Sequence, residues 1–143
     1  MATRMFGTAG IRGLTNLEIT PQLALRMSQC FADHLGNRGR MLVGRDPRYG
    51  AEMLSAAAAA GLMSAGMNVV DAGVVTTGGF ATYLTHKKLD GGVLITGSHT
   101  PPDRIGFMAL MNDGAYVPDR TAALLEAAYE RAEGGESARV PVN

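Results

Sequence analysis

The stretch Gly91–Met111, GGVLITGSHTPPDRIGFMALM, holds two apolar runs separated by a short polar loop. The first run, GGVLITG, is rich in β-branched residues and bounded by glycines, which predicts a buried strand. The second run, IGFMALM, follows closely enough to pair with the first as a hairpin. Pro101 and Pro102 stiffen the intervening loop, which carries Ser98 beside His99. The stretch therefore predicts two paired strands joined by a serine-bearing loop.

Helices and strands alternate outward from this hairpin. Thr20 and Pro21 form an N-cap and first-position proline pair, and an amphipathic helix follows them. The other apolar patterns predict helices over 21–36, 51–65, 79–89 and 119–132, strands over 41–43 and 67–75, and a linker or tail over 134–143. Alternation at these lengths predicts an α/β fold with a mostly parallel sheet of about four strands.

Composition excludes several classes of function. The 143 residues carry 13 Lys plus Arg and 13 Asp plus Glu, so there is no charge excess for nucleic acid or anionic lipid. The most apolar window is alanine-rich and interrupted by polar residues, so a membrane span is not expected. A single cysteine, Cys30, rules out an internal disulfide and favours a reducing, cytoplasmic compartment. We expect a globular domain that binds neither nucleic acid nor membrane.

Three polar, glycine-containing loops are candidate sites. They cover Gly7–Gly13, Gly44–Gly50 and Gly97–Gly106. Ligands of α/β sheets gather where loops leave the carboxyl ends of strands, and we expect all three loops to lie there.

The loop at Ser98 has two open interpretations. Gly97 permits a sharp turn, and an exposed serine on a stiff loop suits covalent catalysis once it is activated. The pattern is not G-x-S-x-G, which disfavours a serine hydrolase. His99 is adjacent, yet neighbouring side chains on an extended segment point apart, so a Ser-His pair does not follow from sequence. From pattern alone, a catalytic loop and an ordinary connecting turn are equally supported.

The other two loops carry arginines. In FGTAGIRG, the backbone amides and Arg12 suit a phosphate, although neither nucleotide-binding fingerprint is present. In GRDPRYG, Arg45, Asp46 and Arg48 surround a proline. They indicate either a surface ion pair or support for a phosphate-binding loop. Nothing in the chain has metal-ligand spacing, because its aspartates are scattered and its histidines do not cluster.

Taken together, the stretches FGTAGIRG, VGRDPRYG and TGSHTPPDRIGF resemble the α-D-phosphohexomutase family, the phosphomannomutase and phosphoglucomutase group. Their order and spacing match across nearly the whole chain. The resemblance implies that residues 1–133 form the first of four domains, a three-layer α/β/α sandwich with a mixed sheet. It also implies further mutase domains in the same or another chain, without which this chain is inactive.

The resemblance also implies a site. Ser98 would carry a phosphoryl group and exchange it with hexose 1-phosphate, hexose 6-phosphate and hexose 1,6-bisphosphate. Mg²⁺ would bind through the phosphate on Ser98, Arg12 would lie beside it, and His99 would shape the loop. The phosphate and substrate contacts expected from this chain are made by Thr8, Gly97, Arg45 and Arg48.

The sequence departs from the family pattern at several positions. Thr100 and Ile105 stand where the family has asparagines, Met108 stands where it has lysine, and Thr77-Gly78 replaces Thr-Pro. A thioether at Met108 cannot supply the missing charge. These departures keep open an alternative function, a noncatalytic sugar-phosphate-binding or assembly module derived from a mutase domain.

Overall fold

The computed structural model describes residues 4–133, and the predicted tail at 134–143 lies outside them. The chain alternates strands and helices as predicted. In order, the elements are β1 (Ile11–Leu14), α1 (Pro21–His34), β2 (Arg40–Arg45), α2 (Ala51–Ser64), β3 (Asn68–Val74), α3 (Thr77–His86), β4 (Gly91–Ile95), β5 (Arg104–Met111) and α4 (Asp119–Glu133).

The strands form one mixed sheet in the order β1-β5-β4-β2-β3. β2 pairs in parallel with β3 and β4, whereas β5 pairs antiparallel with both β4 and β1. The predicted hairpin of β4 and β5 is confirmed. The sheet has five strands instead of about four, and half of its pairings are antiparallel. The missed strand is β1, whose four residues, IRGL, are too few and too glycine-interrupted for a visible strand pattern.

Helices cover both faces of the sheet, which gives the expected three layers. On one face, α1, α2 and α4 pack against inward side chains such as Val43, Val93 and Phe107. On the other face, α3 covers a smaller core around Phe80 and Met108. Within residues 4–133, no helix combines the length and the apolar character needed to cross a bilayer.

Three details show how the helices begin and how they pack. Thr20 caps α1 as predicted, because its Oγ1 accepts a hydrogen bond from Leu23 N at 3.1 Å. In the helix pair α1 and α2, a Cβ added at Gly61 would meet the backbone of Leu25. Gly61 therefore lets the two helices approach closely. The third helix begins at Thr77 instead of Gly79, because Thr76 is its N-cap and accepts from Gly79 N at 3.0 Å.

Candidate functional site

Ser98 lies on the loop that leaves the carboxyl end of β4, and its side chain is exposed. Its φ is 52°, in the left-handed region that non-glycine residues rarely adopt. In this conformation Ser98 Oγ lies 3.3 Å from His99 Nδ1. The expectation that the two side chains diverge is wrong, because the backbone at Ser98 is not extended. A hydroxyl and an imidazole therefore face the same solvent-accessible space.

Asp46 anchors the start of this loop from the neighbouring strand. Since β2 and β4 run parallel, their carboxyl ends meet at one edge of the sheet, and Asp46 follows β2 directly. Asp46 Oδ2 accepts from Gly97 N at 2.8 Å and from Thr96 Oγ1 at 3.1 Å. Thr96 Oγ1 in turn accepts from Ser98 N at 3.1 Å. A carboxylate and a hydroxyl thus fix the backbone on either side of the turn into Ser98.

Arg48 lies beside the loop and pairs with Asp46, with 3.1 Å between Arg48 Nε and Asp46 Oδ2. The two side chains are only 20% and 16% exposed. Of the two interpretations of GRDPRYG, a surface ion pair is therefore wrong, and support for the serine loop agrees with the structure. Gly97 has no positive φ, so its role is not the sharp turn expected of it. A Cβ there would instead overlap the Arg48 guanidinium.

Thr100 closes the loop on itself. Its Oγ1 donates to Gly97 O at 2.5 Å, and its N–H donates to the same oxygen at 2.9 Å. Arg48 Nη1 approaches Thr100 Oγ1 at 3.2 Å. The threonine that departs from the family pattern therefore makes a full set of hydrogen bonds in this loop.

A cavity of about 640 Å³ opens in front of Ser98. Its walls come from the ends of three elements: Asp46 and Arg48 after β2, Thr96 and Ser98 after β4, and the residues that lead into α3. The carboxyl ends of β2, β3 and β4 thus surround one space, as expected for a parallel part of a sheet.

The loop before β1 lies elsewhere. Residues 11–13 belong to β1, and the remaining turn, Gly7–Gly10, precedes that strand. The expectation that Gly7–Gly13 follows a carboxyl end is therefore wrong. Thr8 and Arg12 line a separate open cavity of about 720 Å³ with Arg4 and Asp119.

Arg12 nevertheless extends over β5, the strand that lies between β1 and β4. It pairs with Gly106 on β5, and Gly106 exchanges backbone hydrogen bonds with Thr96. Gly106 thus lies between Arg12 and Thr96, and two strand-to-strand spacings put the Cα atoms of Arg12 and Thr96 roughly 10 Å apart. The Cγ of Arg12 lies over Gly106, and its Nε is buried without a hydrogen-bond partner among residues 4–133. Such an orphaned donor is costly unless a ligand satisfies it.

Met108 lies on the same face of β5 as the Arg12 stem and is fully buried. Its methyl group also lies over Gly106, and its sulfur lies against Gly10. Ile105 is buried in the opposite core, beneath α1 and α2. Both positions where the family pattern has polar residues are thus parts of the apolar interior.

Arg45 lies apart from the other predicted residues. Its Nη1 is 3.9 Å from the carboxylate of Asp71, and it lines a small cavity of about 180 Å³ beside Glu52 and Ser55 of α2. The structure therefore brings together Ser98, His99, Gly97 and Arg48, places Arg12 and Thr8 in a neighbouring cavity, and separates Arg45 from both.

Sequence reasoning named Asp46 only as general support for a phosphate-binding loop and missed Thr96, although both residues hold the serine loop. Asp46 was visible only as part of an arginine-containing turn, and Thr96 as the end of a strand. A signal was present: Asp46 follows one buried strand directly, and Thr96 follows a second. Parallel neighbours place such residues side by side, which a strand-order prediction would have shown.

Two groups with raised pKa values lie outside this site. Burial raises the pKa of the Cys30 thiol, and the nearby Asp33 carboxylate adds to the effect. Burial likewise raises the pKa of Tyr129, followed by the effect of Glu133. Cys30 lies on α1 and Tyr129 on α4, both in the core beneath the sheet. No group of three or more His, Cys, Asp or Glu residues in this part of the chain is arranged to hold a metal ion.

The layers and the loop define a class, an α/β/α domain that presents a serine at the carboxyl edge of a mixed sheet. The family described as "Phosphoglucomutase/phosphomannomutase, alpha/beta/alpha domain I" matches residues 3–135, and the chain belongs to that family.

Relatives and solved structures agree with this assignment. The chain is 43% identical over 129 residues to the phosphoglucosamine mutase of Symbiobacterium thermophilum, covering 87% of this chain and 29% of that protein. It is 39% identical over 127 residues to the phosphoglucomutase/phosphomannomutase of Thermococcus kodakarensis, covering 86% and 28%. A phosphoglucomutase/phosphomannomutase family protein from Burkholderia thailandensis superposes with a TM-score of 0.77 at 26% identity, covering 93% and 31%. A putative phosphomannomutase from Thermus thermophilus gives a TM-score of 0.81 at 30% identity, covering 90% and 30%.

The chain thus spans about 30% of the length of these relatives. The relatives carry further domains beyond the part that this chain matches.

Proposed function

We propose that this chain is the phosphoserine-carrying first domain of a cytoplasmic phosphohexomutase. The observation that carries the proposal is the geometry of Ser98: an exposed hydroxyl, held at a φ of 52°, 3.3 Å from an imidazole nitrogen. A strained conformation at a non-glycine residue persists only when the surroundings impose it, and such residues cluster at functional sites. Family membership supports phosphoryl transfer over the other reactions open to a serine.

The proposed step moves one phosphoryl group. Ser98 Oγ attacks a phosphorus of a hexose 1,6-bisphosphate, an Oγ–P bond forms, and the bond from phosphorus to the sugar oxygen breaks. His99 Nδ1, in the tautomer protonated at Nε2, accepts the hydroxyl proton. The departing sugar oxygen takes a proton and leaves as the hydroxyl of a hexose monophosphate. The reverse step returns the group to the 1- or the 6-hydroxyl. Such transfers depend mainly on positioning and on neutralising charge.

Arg12 is the cation of this chain that we assign to the transferred group. Its orphaned, buried Nε supports the assignment, since a phosphate oxygen would satisfy the donor. Thr8 lines the same cavity and would contact the substrate. Arg45 has no part in the proposed step, because it is paired with Asp71 in another cavity.

A magnesium ion does not fit the described residues by themselves. Asp46, the carboxylate that holds the loop, is occupied by Arg48 and by two donors from Thr96 and Gly97. Mg²⁺ takes few protein ligands and several phosphate oxygens, so the phosphate on Ser98 is what this chain would offer it. The remaining ligands would come from other domains. For the same reason we propose that the chain does not turn over by itself.

The test is whether Ser98 takes up phosphate. The chain is incubated with glucose 1,6-bisphosphate, Mg²⁺ and a relative from which the first domain has been deleted, and its intact mass is then measured. We expect a gain of about 80 Da, the mass of one phosphoryl group. Ser98→Ala is the matched control and should gain nothing. No gain in the wild-type chain, when the complete relative is phosphorylated in the same mixture, would refute the proposal.

One observation favours the second candidate, a noncatalytic sugar-phosphate-binding or assembly module. Met108 is fully buried where the family resemblance places a lysine, so a charge is missing beside Arg12. The discriminating measurement is mutase activity after this chain replaces the first domain of a relative. High activity with Met108 in place would exclude the module. Activity that appears only with Met108→Lys would support it.

A further inference from the structure

Arg48 lines the cavity in front of Ser98 and contacts oxygens all along the serine loop. Its Nη2 donates to Ser98 O at 3.0 Å. Its Nη1 lies within 3.3 Å of four oxygens: Thr100 O, Thr100 Oγ1, Pro101 O and Arg104 O, the last at 2.8 Å. One guanidinium therefore contacts the loop at its beginning, middle and end.

The guanidinium is itself fixed from two sides. Asp46 Oδ2 pairs with Nε, and the same oxygen holds Gly97 N. The guanidinium occupies the space that a side chain at Gly97 would need. Asp46, Gly97 and Arg48 thus form one packed unit, which we call the loop clamp.

The loop clamp fixes the backbone around Ser98. Arg48 donates to carbonyl oxygens of the loop and so partly neutralises groups that would repel a phosphate. The backbone N–H of His99 has no acceptor among residues 4–133 and is left for an anion. We propose that Arg48 is a positioning residue: it imposes the left-handed conformation of Ser98, and it prepares the loop for phosphate without binding phosphate itself. The second part rests on the function proposed above.

Two features separate this role from that of a phosphate ligand. The Arg48 side chain is 20% exposed, and Nη1 is already surrounded by four oxygens of the protein. A phosphate would have to displace them. A lysine cannot take over the role, because one ammonium cannot pair with Asp46 and reach both ends of the loop, whereas the planar fork of arginine can.

The first experiment follows the conformation of Ser98 by NMR in the 143-residue chain, without any phosphoryl donor. A positive φ gives a strong amide-to-Hα nuclear Overhauser effect within the residue. We expect this signal in the wild type and its loss in both Arg48→Ala and Arg48→Lys. Millimolar guanidinium chloride should restore it in Arg48→Ala, because the ion fits the vacated space, whereas methylammonium chloride should not. The signal persisting in both variants would overturn the proposal.

The second experiment measures single-turnover phosphorylation of Ser98 at increasing glucose 1,6-bisphosphate, in the mixture used above. We expect the limiting rate of Arg48→Lys to fall on the order of 100-fold, as for a misplaced reacting group, with the half-saturating concentration unchanged. A raised half-saturating concentration with a normal rate would make Arg48 a phosphate ligand and refute the inference. If the wild type is not phosphorylated at all, the proposed function fails, and the NMR result alone decides whether Arg48 positions Ser98.

Discussion

The loop clamp makes Gly97→Ala a severe substitution for a specific reason. The φ of Gly97 is not in the left-handed region, so alanine fits the backbone there. By reducing the entropy of the unfolded chain, it would even stabilise the fold by about 0.5 kcal/mol. Its Cβ, however, overlaps the Arg48 guanidinium and must displace it. Displacement breaks the pair with Asp46 and strips the loop carbonyls of their donor.

The size of the effect follows from these losses. Separating a largely buried ion pair costs about 3–5 kcal/mol when one charge is left unpaired. The pair is 16–20% exposed, so water recovers part of this. We expect the free energy of unfolding to fall by about 3 kcal/mol, measured by urea denaturation. Gly78→Ala is the matched control, because nothing lies within 4 Å of its added Cβ. It lies in the first turn of α3, and we expect about 0.5 kcal/mol of stabilisation there.

A double variant tests the cause. In Arg48→Ala the guanidinium is gone, so adding Gly97→Ala should cost less than about 0.5 kcal/mol more. The two substitutions would then be strongly non-additive, as residues in contact are. A single Gly97→Ala variant within about 0.5 kcal/mol of the wild type, or additive costs in the double variant, would refute the reasoning.

Three further predictions concern other contacts. Gly61→Ala should destabilise the chain by about 2 kcal/mol in urea denaturation, because the added Cβ meets the backbone of α1. The better helix propensity of alanine does not offset this clash. By comparison, Ala60→Gly at the neighbouring exposed position should cost only about 1 kcal/mol. Asp46→Ala should cost about 3 kcal/mol in the same assay, because it leaves the Arg48 guanidinium without its carboxylate and Gly97 N without its acceptor. Asp71→Ala, 70% exposed and 3.9 Å from its partner, should cost less than about 0.5 kcal/mol. Burial raises the pKa of Cys30 above its ordinary 9.0, so the free energy of unfolding should fall as the pH rises past about 9. In Cys30→Ala the free energy of unfolding should fall less steeply over the same pH range. Equal slopes in the two proteins would contradict this.

Much of the fold could be predicted because its signals are local. The cap at Thr20, the alternation of apolar runs and the short hairpin loop each depend on a few adjacent residues. β1 could not be predicted, because an edge strand of four residues is defined by its partner β5 and not by its own pattern. The start of α3 was missed because Gly78 and Gly79 lower helix propensity, while Thr76 caps the helix in spite of them.

Some features of the candidate site could likewise be predicted from the sequence, and others could not. A polar loop after a buried strand indicates where Ser98 lies. Its left-handed backbone could not be predicted, since serine has no preference for positive φ. That conformation is imposed by Asp46 and Arg48, about fifty positions away in the chain, as their hydrogen bonds to this loop show. Long-range contacts of this kind leave no periodic trace in a single sequence.

The pairing of β1 with β5 also bears on the order in which the molecule assembles. Arg12 pairs with Gly106, so β1 must wait for a strand that the ribosome makes roughly ninety residues later. Closing so long a loop is entropically slow, whereas the parallel core of β2, β3 and β4 and their helices can pack before it. In the meantime Phe6 and Ile11, both buried in the finished domain, remain exposed on the nascent chain. β1 and the segment just before it are thus among the last parts of this domain to dock, and until then they are a natural target for chaperones.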